Sequence, residues 1–201
     1  MIIDSVVRLR TLYPSPKERA LRKQLSALDA HCCRFIQLSP FVVLASSDLR
    51  QAMDASPRGG APGFVRVLNE RTLLVPDAPG NSRLDTLENI IETGKLGLLF
   101  MIPGVDETLR VNGAARLSCL PEHLDVYRCE NRPPKLVIEV LAAEVYLHCA
   151  KALMRSQLWN ASLQVSRSLL PTMGQMVNDQ LGIDSPAETQ EEMLARYAPD
   201  M

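Results

Sequence analysis

The feature that most constrains the fold is the close succession of short β-forming segments between Phe41 and Leu147, with only brief helical stretches between them. Residues 41–46 (FVVLAS) form an apolar run rich in β-formers, and residues 64–68 and 72–76 flank Asn69-Glu70-Arg71 as the arms of a hairpin. Residues 95–103 (KLGLLFMIP) are nearly all apolar, as in a strand buried on both faces. From residue 108 to 116 the chain alternates, with Thr108, Arg110 and Asn112 on one face and Leu109, Val111 and Gly113 on the other. Residues 135–147 are the longest strand candidate. A parallel βαβ sheet needs long crossover helices that this spacing does not supply, so the pattern predicts a small antiparallel barrel, mainly β with flanking helices (α+β).

Helices are predicted around that set. Ser15, Pro16 and Glu18 make a capping-box start, and Leu21, Leu25, Leu28, Cys32 and Phe35 then recur every three or four residues up to Pro40. Leu84, Leu87, Ile90 and Ile91 mark a short amphipathic helix stopped by Gly94. Helical turns are also expected at residues 121–129 and 150–159. Residues 48–63, with two prolines and three glycines, read as a loop at the barrel edge. The expected organisation is a helical segment over 1–40, a barrel over 41–159 and an acidic helical extension over 160–201, as one domain overall.

Composition excludes several classes. With 46% hydrophobic residues the chain is not mostly disordered, and no apolar run approaches a membrane span. A net charge of −1 argues against a nucleic-acid binder. That balance is uneven, because residues 1–36 hold seven bases against three acids, whereas residues 171–201 hold six acids against one base. No secretory signal is evident at the start, and five cysteines without a C-x-x-C pair suggest a reducing, cytoplasmic setting. The His-Cys pairings at 31–32 and 148–149 lack the ligand spacing of structural zinc, so no metal is expected.

Nucleophile-elbow, zincin, Walker and dinucleotide motifs are missing. What remains is a set of arginines. Arg58 lies beside two glycines, and Arg66 sits mid-strand between Val65 and Val67. Asn81, Ser82 and Arg83 precede a helix, a combination suited to phosphate, although such a loop is often only a cap. Arg110 neighbours Thr108 and Asn112, Lys151 and Arg155 share a helix face, and Trp159 is the only tryptophan. The arginines at 58, 66, 83 and 110 are candidates to converge on one anion.

Four stretches resemble the pyridoxamine 5′-phosphate oxidase-like flavoproteins, which share an FMN-binding split β-barrel: ASSD (45–48), SPRGGAPGFVRVLNERTLLVPDAPGNSRLDTLENI (56–90), GLLFMIPGVDETLRVNGAARL (97–117) and YLHCAKALMRSQLW (146–159). The second and fourth look especially like a subgroup of FMN-dependent proteins without an assigned substrate. The resemblance implies FMN as cofactor, a homodimer with the flavin at the subunit interface, and an oxidoreductase activity on a small molecule. By it, the strand ending Val75-Pro76 lines the flavin with its backbone, and Asn81-Ser82-Arg83 matches the phosphate loop. Thr108 stands where the oxidase has a glutamine, and either Arg58 or Arg66 matches the phosphate-binding strand arginine. The helix with Lys151 and Arg155, ending at Trp159, resembles the segment that approaches the partner's flavin. The oxidase's C-terminal arginine pattern is absent, and Tyr127 and Arg128 stand in a different order, so the resemblance does not extend to pyridoxamine phosphate as substrate. A non-enzymatic flavin-binding or haem-binding barrel is the alternative, with His148 as the best placed axial ligand.

Overall fold

The computed structural model describes residues 2–200. Its contacts divide the chain into two compact units, Met1–Trp159 and Asn160–Met201. The first holds a seven-stranded antiparallel sheet with flanking helices, the α+β split barrel expected above. The strands are β1 (Phe41–Ser47), β2 (Met53–Gly59), β3 (Arg66–Val67), β4 (Thr72–Pro76), β5 (Lys95–Met101), β6 (Thr108–Ser118) and β7 (Val137–His148), in the order β2-β1-β5-β6-β7-β4-β3.

Alternation builds one core. Val42 and Leu44 of β1, Leu96, Leu98 and Phe100 of β5, Leu109 and Val111 of β6, and Ile138, Val140 and Val145 of β7 are all buried on the inner face. Leu73 and Val75 of β4 join the same cluster, so the sheet curls until its two ends surround a common interior. Helix α3 (Ala30–Leu38) closes it with Cys32 and Ile36, and α4 (Asp85–Thr93) with Leu87 and Ile90. A smaller cluster lies outside β4 and β7, where Tyr127 packs with Leu74 and Val137 and its hydroxyl donates to the Leu74 carbonyl at 2.7 Å.

Three expectations change. The stretch 48–63 contains β2, whose Pro57 pairs with Val43 at the outer edge of the sheet. An edge strand leaves alternate N–H groups without a ladder partner, so proline is tolerated there. The first long helix is two short ones, α2 (Glu18–Arg22) and α3. Between them Leu25 forms an isolated bridge with Val145, its N–H donating to the Val145 carbonyl at 2.8 Å and Val145 N–H donating back at 2.9 Å. The Asp29 carboxylate then restarts helix by accepting from Cys32 N–H at 2.8 Å, while the proposed box at Ser15 gives way to Lys17 as an N-cap without a side-chain bond. Thirdly, β5 is buried on one face only: Gly97, Leu99 and Met101 are half-exposed on the outer face.

Helix α1 (Val6–Thr11) precedes these elements, capped by Ser5. Helices α5 (Pro121–Asp125) and α6 (Lys151–Ser156) are short. In the second unit α7 (Met173–Leu181) and α8 (Gln190–Tyr197) contain no buried residue, and each starts on a threonine cap, Thr172 and Thr189.

The five thiols are free and differ in setting. Burial pushes the Cys32 thiol up to about 11, with the hydrogen bond to Asp29 adding to the effect. Thiol titration of the folded protein at pH 8 is expected to modify the exposed Cys119, Cys129 and Cys149 first and Cys32 only after unfolding. Modification of Cys32 at the same rate as Cys119 would contradict this packing.

Candidate functional site

The curl of the sheet brings the inner face of β2 towards the end of β4. Asp54, Ser56 and Arg58 point inward opposite Ser46, Leu44 and Val42, giving this edge strand a polar inner face where the others are apolar. Arg58 is close enough to Asp77, one residue beyond β4, for its charge to oppose the rise that burial causes in the Asp77 carboxyl. Two strands far apart in sheet order therefore come close at this end of the barrel. Beside them Asp54 accepts from Thr86 of α4 and from Ser46 and Ser56, while Asn89 donates to Ser46 at 3.0 Å.

The loop between β4 and α4 lies at this end of the barrel. Ser82 and Leu84 both adopt the left-handed conformation, at φ 59° and 60°, an uncommon state for residues other than glycine. Asn81 folds the loop by accepting from Arg83 N–H at 3.1 Å. Leu84 is the N-cap of α4 and supplies no side-chain bond, so the positive end of the helix carries no side-chain cap. Arg83 is largely exposed and pairs with Asp85 at 2.9 Å, and it also feels the charge of Asp54. Arg58 of β2 thus lies within range of Asp77, just beyond Val75 and Pro76 of β4, and Arg83 within range of Asp54 of β2, so the 81–83 loop, the end of β4 and the inner face of β2 come close together.

The other arginines lie elsewhere. Arg66 is held by Glu130 at 2.6 Å and lies over the Tyr127 ring at 5.7 Å. Arg110 and Thr108 project from the outer face of β6, opposite Tyr146 and His148 of β7. The four arginines do not converge on one anion, because the inner face of β2, the Tyr127 cluster and the outer face of β6 are separate surfaces. Lys151 and Arg155 are exposed on α6, and Trp159 donates its indole N–H to the Val105 carbonyl at 2.9 Å, in the turn before β6.

Sequence reasoning missed Asp54, Asp77, Thr86 and Asn89. The one available signal was the polar alternation of Asp54, Ser56 and Arg58, which the neighbouring proline and glycines hid. Among the described residues, no group of three His, Cys, Asp or Glu side chains could hold a metal ion, and no helix is long and apolar enough to cross a membrane.

A family model described as pyridoxamine 5′-phosphate oxidase matches residues 28–149, more than half of the chain. The chain belongs to this family. The span matched to the pyridoxamine 5′-phosphate oxidase model contains all seven strands, Arg58, the loop at 81–84 and Arg110, whereas Lys151, Arg155 and Trp159 lie beyond it. No curated protein matches significantly. Among solved structures, HupZ of Group A Streptococcus is 14% identical with a TM-score of 0.50, covering 60% of this chain and 93% of its own. A candidate pyridoxamine 5′-phosphate oxidase from Lactobacillus delbrueckii is 20% identical, covering 62% and 98%, with a TM-score of 0.49. An FMN-binding protein from Syntrophomonas wolfei is 15% identical, covering 58% and 81%, with a TM-score of 0.40. At these identities the likeness to HupZ is one of fold alone.

Proposed function

We propose that this chain is an FMN-dependent oxidoreductase acting on a small molecule other than pyridoxamine 5′-phosphate, and that it works as a homodimer with the flavin at the subunit interface. The observation that carries the reading is the close approach of β2 to the end of β4, where Arg58, an uncapped helix end and the Asn81-Ser82-Arg83 loop provide donors, in a member of the pyridoxamine 5′-phosphate oxidase family.

The donor set fits a phosphate monoester. Its oxygens would accept from Arg58, from Arg83 released from the exposed Asp85, from the Asn81 and Ser82 side chains and from the first-turn N–H groups of α4. The backbone of Val75 and Pro76 would face the ring system, with Thr108, Lys151, Arg155 and Trp159 contributing from the partner subunit. FMN, when bound, supplies hydride and single-electron transfer, which the side chains of this chain do not provide. The residues bind the phosphate, orient the ring and exclude water from it. No titrating residue is assigned a proton at a reacting atom.

Dimer formation has a physical motive. Phe41, Val43, Leu99 and Met101 form an apolar strip on the outer face of β1 and β5, half-exposed in the single chain.

The reading is tested on the purified full chain by absorbance and by FMN titration followed through flavin fluorescence. Flavin bands in the protein as isolated, or uptake at micromolar FMN, are expected. A Soret band, or a colourless protein that takes up no FMN at that concentration, would overturn it.

A further inference from the structure

Helix α4 is tied to the sheet by two kinds of contact. Leu87 and Ile90 hold it through burial in the core. Thr86, Asn89 and Glu92 hold it through hydrogen bonds to β1, β2 and the turn between them. The Thr86 hydroxyl donates to the Asp54 carboxylate, the Asn89 amide donates to the Ser46 hydroxyl at 3.0 Å, and Glu92 accepts from Leu49 N–H at 3.2 Å. The Ser46 and Ser56 hydroxyls also donate to Asp54, at 3.3 Å and 2.9 Å.

The two kinds of contact do different things. Apolar burial has no direction, so it sets how deep a helix sits and leaves its position along the sheet soft. A hydrogen bond to a carboxylate is directional and stronger than one between neutral groups. Thr86 and Ser46 are buried at 2% and 5% exposure, so water competes little for these bonds. A sheet whose other strands turn apolar side chains inward gains nothing in burial from an aspartate here, since a half-buried carboxylate costs free energy until it is bonded.

Position shows what the bond fixes. Thr86 is the second residue of α4 and follows Leu84, the N-cap without a side-chain bond. Asp54 lies four residues before Arg58 on the same face of β2. The bond therefore sets the first turn of α4, and the loop joined to it, against the strand that carries Arg58. The loop needs such support, because Ser82 and Leu84 hold left-handed conformations that persist only where the surroundings impose them.

We infer that Asp54 is a positioning residue for phosphate recognition: through the Thr86 hydroxyl it keeps the first turn of α4 and the 81–84 loop in register with Arg58, and so lets the site distinguish a flavin that carries a phosphate from one that does not. This role rests on the flavin reading above and adds to it the pair of side chains that sets its selectivity.

The test compares FMN with riboflavin, which has the same ring system and no phosphate, by fluorescence titration of the full chain. Thr86→Val keeps the volume and loses the hydroxyl, whereas Thr86→Ser keeps the hydroxyl. The unaltered protein is expected to bind FMN more tightly than riboflavin. Thr86→Val is expected to lose about tenfold in FMN affinity with riboflavin changed by less than about twofold, and Thr86→Ser to stay within about twofold of the unaltered protein for both. Asp54→Ala combined with Thr86→Val is expected to lose no more FMN affinity than Asp54→Ala alone, because the two side chains act through one bond. Equal losses for FMN and riboflavin, or losses that multiply in the double variant, would make these residues part of the general packing and overturn the role. If Thr86→Val does not fold, Thr86→Ala takes its place, and failure of both to fold would overturn the role in favour of one in stability. Unaltered protein that takes up neither flavin would remove the flavin reading itself, whereas FMN binding that Thr86→Val leaves unchanged would remove only the positioning role.

Discussion

Gly113→Ala is expected to destabilise the barrel by more than about 3 kcal/mol, lowering its thermal midpoint by roughly 6–12 °C. The register between β6 and β7 shifts at this point, with Asn112 opposite Glu144 and Gly113 opposite Ala142, so Ala143 is an extra residue on β7. At the bulge the two backbones approach closely. A Cβ on Gly113 would lie 2.0 Å from the Leu141 carbonyl oxygen, 2.8 Å from its carbon and 3.2 Å from Ala142 Cα. All three are backbone atoms, so no flexible side chain can swing aside. Relief requires the central strand pair to separate, and with it the burial of Val111 and Val145 on either side. Thermal unfolding followed by circular dichroism measures the effect. Gly80→Ala is the control, because a Cβ there meets nothing within 4 Å. Equal midpoints for the two variants would show that the bulge is not built this way.

Arg58→Ala is expected to weaken FMN binding by roughly 10- to 100-fold, the loss associated with removing a hydrogen bond to a charged group. Arg66→Ala is expected to change it by less than about twofold, since a half-exposed ion pair contributes little. Sequence resemblance left these two arginines as alternatives. The expectation rests on their surroundings: Arg66 is held by Glu130 and lies over the Tyr127 ring, whereas Arg58, among the described residues, donates only to the adjacent Pro57 carbonyl and lies within range of the Asp77 carboxyl. Fluorescence titration of both variants measures the difference. If Arg66→Ala is the one that loses affinity, the phosphate belongs to the Tyr127 side and the approach of β2 to β4 is not the cofactor site.

What was legible in the sequence, and what was not, follows from the range of the forces involved. Strand β6 was visible because alternation is a local consequence of having a wet and a dry face, and β1, β4, β5 and β7 because short runs of apolar β-formers between turn residues are equally local. Helix α4 was visible because Leu87 and Ile90 recur at helical spacing and Gly94 ends the helix at φ 64°. Strand β2 was hidden, since Pro57 and Gly59 speak against a strand unless its position at the sheet edge is known. The stretch from Leu21 to Phe35 kept helical spacing throughout, but Leu25 finds a partner in Val145, a choice that no local pattern records. The site divides in the same way. The loop at residues 81–83 could be read locally. The meeting of Arg58 with Asp77 depends on the curl of the sheet, which joins strands distant in sequence.

The two ends of the sheet have a bearing on how copies of this chain can associate. One end is β2, which carries Pro57 in the ladder, and the other is β3, only two residues long. Neither offers a continuous row of free backbone donors and acceptors on which a further strand could grow. Such edges resist fibrous, edge-to-edge aggregation even when the chain is concentrated. Ordered assembly is then left to the broad faces of the sheet, where side chains rather than backbone decide which surfaces fit.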